Sequence, residues 1–372
     1  MLKLLHTGDL HLGRGYQKQE QTDPALAKRY REARMEALEN VVRLAEREHC
    51  DALVVAGDVF DAHTLQPALV KETAELLGRC PCPVVVLPGN HDYCEGPEDK
   101  LWSRFRECAG DNTLLLTEPK PVAVGAQMVF YPCPCLDRYS QGNALDWVKA
   151  DDRRDGSKVN IGLAHGAIEG LSFDREKRYY YMTRQELEAA RMDLWLIGHT
   201  HMPYPEQETI SGERIFNAGT HQQTDVADNS PGSAFLIEVA EDKTVTAKRV
   251  HTGVIQFVRK ERTVRHGDSL EAVLAEAGEG LDKSTTTLRL TLSGVALEED
   301  WQNRFSLYEA AGADYLKLEV LDGELQQEIT REMIDRETLE GSLENRLLKQ
   351  YMDEPELLNL AYGLVKECRK EG

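Results

Sequence analysis

Short apolar runs alternate with longer amphipathic stretches through the first 240 residues. Runs at Lys3–Thr7, Ala52–Ala56, Val84–Leu87, Leu114–Leu116, Gln127–Tyr131, Val159–Ala164, Leu194–Ile197, Arg214–Asn217 and Ser233–Val239 predict strands. Several are short, unbroken and β-branched, the signature of strands covered on both faces. Between the first two, Asp23-Pro24 predicts a helix start, a cap followed by proline in the first turn. An apolar stripe follows at Tyr30, Ala33, Ala37, Val41 and Leu44, with Leu38, Val42 and Ala45 alongside. A second helix is expected after Thr64, turning Leu69, Val70, Ala74 and Leu77 inward. A third begins at Thr183, where Thr183-x-x-Glu186 forms a capping box. Strands and helices in alternation predict an α/β fold with covered sheets.

Near residue 250 the pattern changes. Residues 285–295 alternate like a strand with one exposed face, a helix is expected through Trp301–Ala311, and a strand at Tyr315–Leu321. From about Glu328 onward the chain reads as helical, charged and leucine-rich. Three parts are therefore expected: an α/β domain over 1–250, a small α+β domain over 251–327, and a helical segment over 328–372. There is no internal repeat and no low-complexity stretch.

The chain has 372 residues, enough for two or three domains. It carries 44 Lys and Arg against 64 Asp and Glu, a formal charge of −20. Residues 266–372 hold 24 of those acids and 11 of the bases, so the acidity is concentrated there. That balance disfavours strong unaided nucleic-acid binding, above all by the C-terminal third. No apolar run approaches the roughly 18–20 residues of a membrane helix. The N-terminus enters an apolar strand at once, so no signal peptide and a cytoplasmic location are expected. The eight cysteines then read as reduced thiols rather than a disulfide framework. Cys80-Pro-Cys82 and Cys133-Pro-Cys135 are spaced too closely for a usual zinc knuckle.

Five short motifs carry the candidate chemistry: Asp9-Leu-His11, Gly57-Asp58-Val-Phe-Asp61, Gly89-Asn90-His91-Asp92, Gly162-Leu-Ala-His165 and Gly198-His199-Thr-His201. Four directly follow a predicted strand and the His165 motif ends one. Ligands of α/β sheets collect at the carboxyl ends of strands. Imidazoles with carboxylates suit divalent manganese, iron or zinc better than calcium or magnesium. Taken alone, each motif is weak. Asp61-Ala-His63 repeats the Asp-x-His spacing and is read as a decoy, and a lone His-x-His is more often a surface loop. The information lies in the ordered set.

That ordered set resembles the calcineurin-type metallophosphoesterase superfamily. The opening Leu-Leu-His-Thr-Gly-Asp-Leu-His-Leu-Gly, with Val-Ala-Gly-Asp-Val-Phe-Asp and Pro-Gly-Asn-His-Asp, is similar to the SbcD/YhaO-type DNA double-strand-break repair exonucleases. The resemblance implies a four-layer sandwich, two packed mixed sheets flanked by helices, with a smaller C-terminal α+β capping domain and a helical tail. It implies two divalent ions, Mn2+ foremost with Fe2+ or Zn2+ as alternatives. Asp9, His11, Asp58 and His201 would serve one ion, and Asp58, Asn90, His165 and His199 the other. The family often has Ser and Trp at the positions of Gly8 and Leu10. Archaeal and eukaryotic members have histidine at the position of Asp61, where bacterial members and the superfamily's serine/threonine phosphatases have aspartate.

His91 directly follows a ligand and is expected to act as general acid toward the leaving oxygen. Asp61 has two readings: a carboxylate orienting His91, as in related phosphatases, or a helix cap beside Thr64. The loop Phe173-Asp-Arg175-Glu-Lys177-Arg178-Tyr179-Tyr-Tyr181 interleaves bases with aromatics. It suits phosphate contact with base stacking, or is an ordinary surface turn. Arg175, Lys177, Arg178 and Tyr179 are its candidate DNA contacts, with Arg14 a weaker one. Leu339, Leu343, Leu347, Leu348, Met352, Leu357, Leu360 and Leu364 form apolar faces on the C-terminal helices. These either pack within the cap domain or, as the resemblance implies, dock on an SbcC-like coiled-coil ABC ATPase. The partners expected are thus DNA, that ATPase and a second copy of the chain, with no membrane. Two other functions share parts of this pattern: a phosphatase or cyclic-nucleotide phosphodiesterase, and a non-catalytic scaffold, whose usual signature of lost ligands is missing here.

Overall fold

Alternation within each strand sorts its side chains into separate cores. In Ala52–Ala56, Leu53 and Val55 join one apolar cluster, while Ala52, Val54 and Ala56 join another. Such a strand must be covered on both faces, and the fold supplies a layer for each. The computed structural model of the chain describes every residue except Phe173, Asn229 and Gly372. It comprises two compact units, Met1–Phe257 and Val258–Gly372.

The first unit contains strands β1 (Leu2–Thr7), β2 (Ala52–Ala56), β3 (Val84–Leu87), β4 (Thr113–Leu115), β5 (Val122–Val124), β6 (Met128–Cys133), β7 (Val159–His165), β8 (Leu194–Gly198), β9 (Thr209–Ser211), β10 (Ile215–Asn217), β11 (Ser233–Val239) and β12 (Val245–His251). They form a seven-stranded sheet in the order β4-β3-β2-β1-β11-β12-β9 and a five-stranded sheet in the order β10-β8-β7-β6-β5. Strands β1 to β4 run parallel, as do β6, β7, β8 and β10. The antiparallel strands lie at the edges or on the β11 side.

The two sheets meet through Leu4, Val54, Val85 and Phe235 of one and Phe130, Ile161, Leu163 and Leu196 of the other. Helices Pro24–Arg47, Pro67–Gly78 and Lys100–Cys108 cover the outer face of the larger sheet. Helices Asp146–Ala150 and Arg184–Ala189 cover that of the smaller one. This is the expected four-layer mixed α/β sandwich.

Local signals explain several helix starts. Asp23 accepts a hydrogen bond from the Leu26 N–H with Pro24 in the first turn, and Thr183 and Glu186 complete their capping box. The helix expected after Thr64 starts at Pro67, whose missing N–H costs nothing there. Sequence reading missed β5, β9 and β12, which are short or exposed on one face, and the helix Lys100–Cys108 capped by Asp99.

In the second unit β13 (Gln256–Val264), whose first residues still belong to the first unit, pairs with β14 (Thr286–Ala296), which runs parallel to β15 (Lys317–Gln327). Leu288, Leu290 and Leu292 alternate onto one face of β14 and pack against Leu270, Val273 and Leu274. The helices Arg331–Glu337, Leu343–Gln350 and Pro355–Glu371 gather a separate core around Ile334, Leu348 and Tyr362. Among the described residues, no helix is long and apolar enough to cross a membrane.

Gly162 gives a direct test of the packing on the smaller sheet. A Cβ there would fall 2.3 Å from the Trp195 ring, which is buried and tied by its Nε1–H to Leu187 O at 2.9 Å. Gly162→Ala should lower the stability of the first unit by about 1–3 kcal/mol, the usual cost of overpacking. Urea unfolding followed by tryptophan fluorescence measures it, and an unchanged midpoint would mean the indole is not confined as described.

Candidate metal centre

Parallel strands align their carboxyl ends, and here both sheets do so at one edge. Asp9 and His11 follow β1, Asp58 follows β2, the Gly89–Asp92 turn follows β3, His165 ends β7, and His199 and His201 follow β8. The first two loops are bound to each other: Asp9 N–H donates to Gly57 O at 3.1 Å and His11 N–H to Asp58 O at 2.9 Å. Four of these residues have left-handed backbone, with φ of 50° at Asp9, 43° at His11, 49° at Asp58 and 107° at His199. Non-glycine residues seldom adopt such angles, each at a cost of about 1–3 kcal/mol, and they cluster at functional sites. Gly57 has φ +85°, and a Cβ there would lie 2.1 Å from His165 Nδ1. At Gly89 a Cβ would lie 2.2 Å from Asp58 Oδ1. Both positions bring bare backbone against a candidate ligand.

The donor atoms converge in two groups. His11 Nε2 and His201 Nε2 lie 2.9 Å apart, each 4.0 Å from Asp9 Oδ1. Asn90 Oδ1 lies 3.0 Å from His165 Nε2 and 2.9 Å from His199 Nδ1. Asp58 joins the groups, with Oδ2 3.3 Å from His165 Nε2 and 3.7 Å from His11 Nε2. All seven residues named from the sequence are thus brought together. Several orienting contacts fix what each presents. His165 Nδ1 donates to Ala56 O at 2.9 Å, so its Nε2 faces Asp58 and Asn90. A ring lone pair aimed at two oxygen acceptors repels them unless a proton or a cation lies between. Four imidazoles, two carboxylates and one amide oxygen suit borderline divalent cations, so the donor set fits a two-metal centre.

Electrostatics point the same way. Burial works to raise the Asp58 carboxyl, but the imidazoles of His165, His11 and His91 hold it below the usual carboxylate range. Burial lowers His165, yet the Asp58 carboxylate beside it outweighs burial and raises it to about 9. Burial pushes Asp9 up to about 7 and lowers His199 and His201, to about 3 and about 2. The latter two rings are therefore neutral and able to donate a lone pair.

The expected Asp61–His91 pair is corrected in its atoms. His91 Nδ1 donates to the main-chain carbonyl of Asp61 at 3.0 Å. The Asp61 carboxylate instead lies 3.0 Å from His11 Nδ1, close but without hydrogen-bond alignment, and 3.8 Å from Arg14. The reason is spacing: the left-handed turn at Asp58 carries Asp61 back across the β1 loop, where its N–H meets Leu12 O at 3.0 Å. Nor does Asp61 cap a helix, since the next one starts at Pro67 behind Gln66. His91 lies edge-on to His11 with centroids 4.8 Å apart, and its own N–H donates to Asp58 Oδ1 at 2.8 Å.

His63, of the decoy motif, pairs with Asp99 at 2.8 Å and stacks on Tyr93. Of the basic-aromatic loop, Tyr179 reaches the centre, its ring 5.4 Å from that of His199. Lys177 lies over Tyr181, Arg178 pairs with Glu176, and Arg175 is exposed. Phe173 lies outside the described residues.

Sequence reading missed two buried supports. Asp92 accepts from Gly89 N–H at 2.6 Å and Phe60 N–H at 2.9 Å, joining the β2 and β3 loops, and burial pushes it up to about 8. Arg34 donates from Nε and a terminal nitrogen to Leu10 O at 2.9 and 2.7 Å, fixing the loop between Asp9 and His11. The signal for Arg34 was present: it stands four residues after Tyr30 and four before Leu38, within the apolar stripe.

A family model described as calcineurin-like phosphoesterase matches residues 2–203. The metallophosphoesterase YhaO of Bacillus subtilis is 23% identical over 313 residues, covering 80% of this chain and 73% of that protein. The DNA double-strand break repair protein Mre11 of Aeropyrum pernix is 35% identical over 320 residues, with coverage of 81% and 71%. The SbcD component of the nuclease SbcCD of Staphylococcus saprophyticus is 24% identical over 275 residues, with coverage of 66% and 68%.

The titrations predict how the metal-free protein responds to pH. His165, raised from an ordinary 6.5 to about 9, binds its proton more tightly in the folded chain. Its contribution is complete below about pH 6.5 and is lost as pH rises to about 9. Asp92 and Asp9, raised from 3.8 to about 8 and about 7, act with the same sign. Chelator-treated protein should therefore lose stability between pH 6.5 and 9, and added Mn2+ should suppress the loss by taking the place of the protons. Melting temperature against pH, with and without metal, measures this; a flat metal-free profile would contradict it.

Proposed function

This chain belongs to the calcineurin-like phosphoesterase family, and on that premise we propose that it is a two-metal phosphodiesterase acting as a DNA exo/endonuclease in repair. The observation that carries the reading is the convergence of Asp9, His11, Asp58, Asn90, His165, His199 and His201 at one sheet edge, with Asp58 between the two groups. The similarity to one relative named as a DNA double-strand break repair protein and another named as a nuclease subunit favours DNA as the substrate. We assign Asp9, His11, Asp58 and His201 to one ion and Asp58, Asn90, His165 and His199 to the other. Mn2+ is the proposed metal, with Fe2+ and Zn2+ as alternatives.

When bound, two such ions polarise the phosphate and activate a water for in-line attack. The chain's own groups do the rest. His91 donates its Nδ1–H to Asp61 O, so in the doubly protonated ring Nε2–H is the proton handed to the leaving oxygen, and the ring is left neutral with Nδ1–H still bound. Asp61 is assigned as a positioning residue: its carbonyl orients His91 and its carboxylate flanks His11. Arg14, Arg175, Lys177, Arg178 and Tyr179 are proposed to contact the nucleic acid, the cations holding phosphates and the ring a base.

The parts 1–250, 251–327 and 328–372 are proposed as nuclease domain, cap and docking segment. Leu339, Leu343, Leu357, Leu360 and Leu364 are all exposed, and their apolar surface supports docking on a coiled-coil ABC ATPase. Such a partner would offset the net charge of −20 toward DNA. A homodimer is proposed with it, and the eight free thiols support a cytoplasmic setting.

His91→Ala should leave bound metal unchanged and lower turnover by about 10²- to 10⁴-fold. Metal analysis beside a manganese-dependent nuclease assay tests this, and full activity in the variant would end the role. The unaltered protein should cleave single-stranded DNA in preference to para-nitrophenyl phosphate. The reverse preference would point to a phosphatase.

A further inference from the structure

Two loops meet beside the candidate centre. Residues 134–145 follow β6 and residues 166–182 follow β7. Tyr180 joins them from below. Its buried hydroxyl accepts from the N–H groups of Leu136 and Asp137, both at 3.1 Å, and donates to Asp137 O at 2.8 Å. Ser140 adds two more bonds, its N–H and hydroxyl donating to Arg178 O at 2.8 and 3.0 Å. Tyr180 has φ +49°, a left-handed angle that a bulky residue adopts only when its surroundings impose it.

A line of rings leads away from the centre. Tyr179 lies 5.4 Å from His199 between ring centroids, at 31° between planes. Tyr139 lies 5.5 Å farther along from Tyr179, at 48°. The Arg138 guanidinium lies 5.8 Å from the Tyr139 centroid. Among the described residues, neither tyrosine belongs to an apolar core, and the Arg138 guanidinium forms no ion pair, although the Arg138 main-chain N–H donates to Asp137 Oδ1 at 2.6 Å. Tyr139 remains 39% exposed although its chain neighbours are tied down, Arg138 N–H to Asp137 Oδ1 and Ser140 N–H to Arg178 O.

An aromatic face packed on Tyr179 and open to solvent two rings from the candidate ligands suits a flat apolar partner that arrives with a phosphate. A nucleobase is such a partner, and every base offers a face of this kind. An unpaired guanidinium beside the ring meets the adjoining phosphate. Resting on the nuclease reading above, we propose that Tyr139, backed by Tyr179 and flanked by Arg138, is the stacking platform for the base next to the scissile phosphate. The platform makes the site select nucleic-acid strands over phosphate esters that carry no base. Its contacts form in ground state and transition state alike, so they act on KM more than on kcat.

The test compares a short single-stranded DNA with the same strand carrying abasic residues at the cleaved end, using the full chain with Mn2+. Tyr139→Ala should raise KM for the normal strand by about 5- to 100-fold, with kcat little changed. Tyr139→Phe, which keeps the ring, should restore the original KM. On the abasic strand the Ala variant and the unaltered protein should have the same KM. An unchanged KM for the Ala variant on the normal strand, or an equal rise on both strands, would overturn the platform while leaving the nuclease assignment standing. If the unaltered protein cleaves neither strand yet hydrolyses para-nitrophenyl phosphate, the nuclease reading falls and the platform with it. Tyr139 is exposed, so a melting temperature within about 2 °C of the original confirms that the variants are folded.

Discussion

Asp58 is a carboxylate buried to 2% exposure that must remain charged, and much of the surrounding structure serves that requirement. Isolated in an apolar interior such a group would take up a proton. Here His11 and His165 flank it, its Oδ1 accepts the His91 N–H, and no side chain is tolerated at Gly89 against it. The same arrangement leaves ring nitrogens and oxygens facing one another at about 3 Å, a geometry that a proton or a cation between them satisfies. The left-handed backbone at Asp9, His11, Asp58 and His199 follows from the same need, because each loop must turn its donor inward immediately after its strand.

Chain-distant residues can meet there because the architecture aligns the strand ends. The parallel runs β1–β2–β3 and β7–β8 belong to different sheets, and the apolar layer between the sheets brings their carboxyl ends to one edge. Supports behind the donors keep the edge fixed. Arg34 pins the β1 loop, Asp92 ties the β2 and β3 loops, and Ala56 O sets the His165 ring. These groups are buried behind the donors, and each limits where a ligand atom can sit.

Much of this was legible in the amino-acid order. Buried strands announce themselves as β-branched runs, and the donors stand within four residues of those runs, so the convergence at the sheet edge could be anticipated. What escaped depended on contacts across the fold. Asp61 lies three residues after Asp58, which suggests a partner but not whether the carbonyl or the carboxylate makes the contact. Asp92 looked like the tail of a turn because its donors, the N–H groups of Phe60 and Gly89, are fixed only once two loops pack. Tyr139 carried no periodic signal at all, and its relation to Tyr179 arises from a hydroxyl buried at Tyr180. The strands β5 and β9, three residues each, hold too few side chains to show a period.

Anomalous scattering from crystals soaked in Mn2+ would show whether the seven donors hold a pair of ions. Two peaks are expected about 3.5–4 Å apart, with Asp58 between them, one ringed by Asp9, His11 and His201 and the other by Asn90, His165 and His199. A single peak away from Asp58, or none at saturating metal, would contradict a two-metal centre.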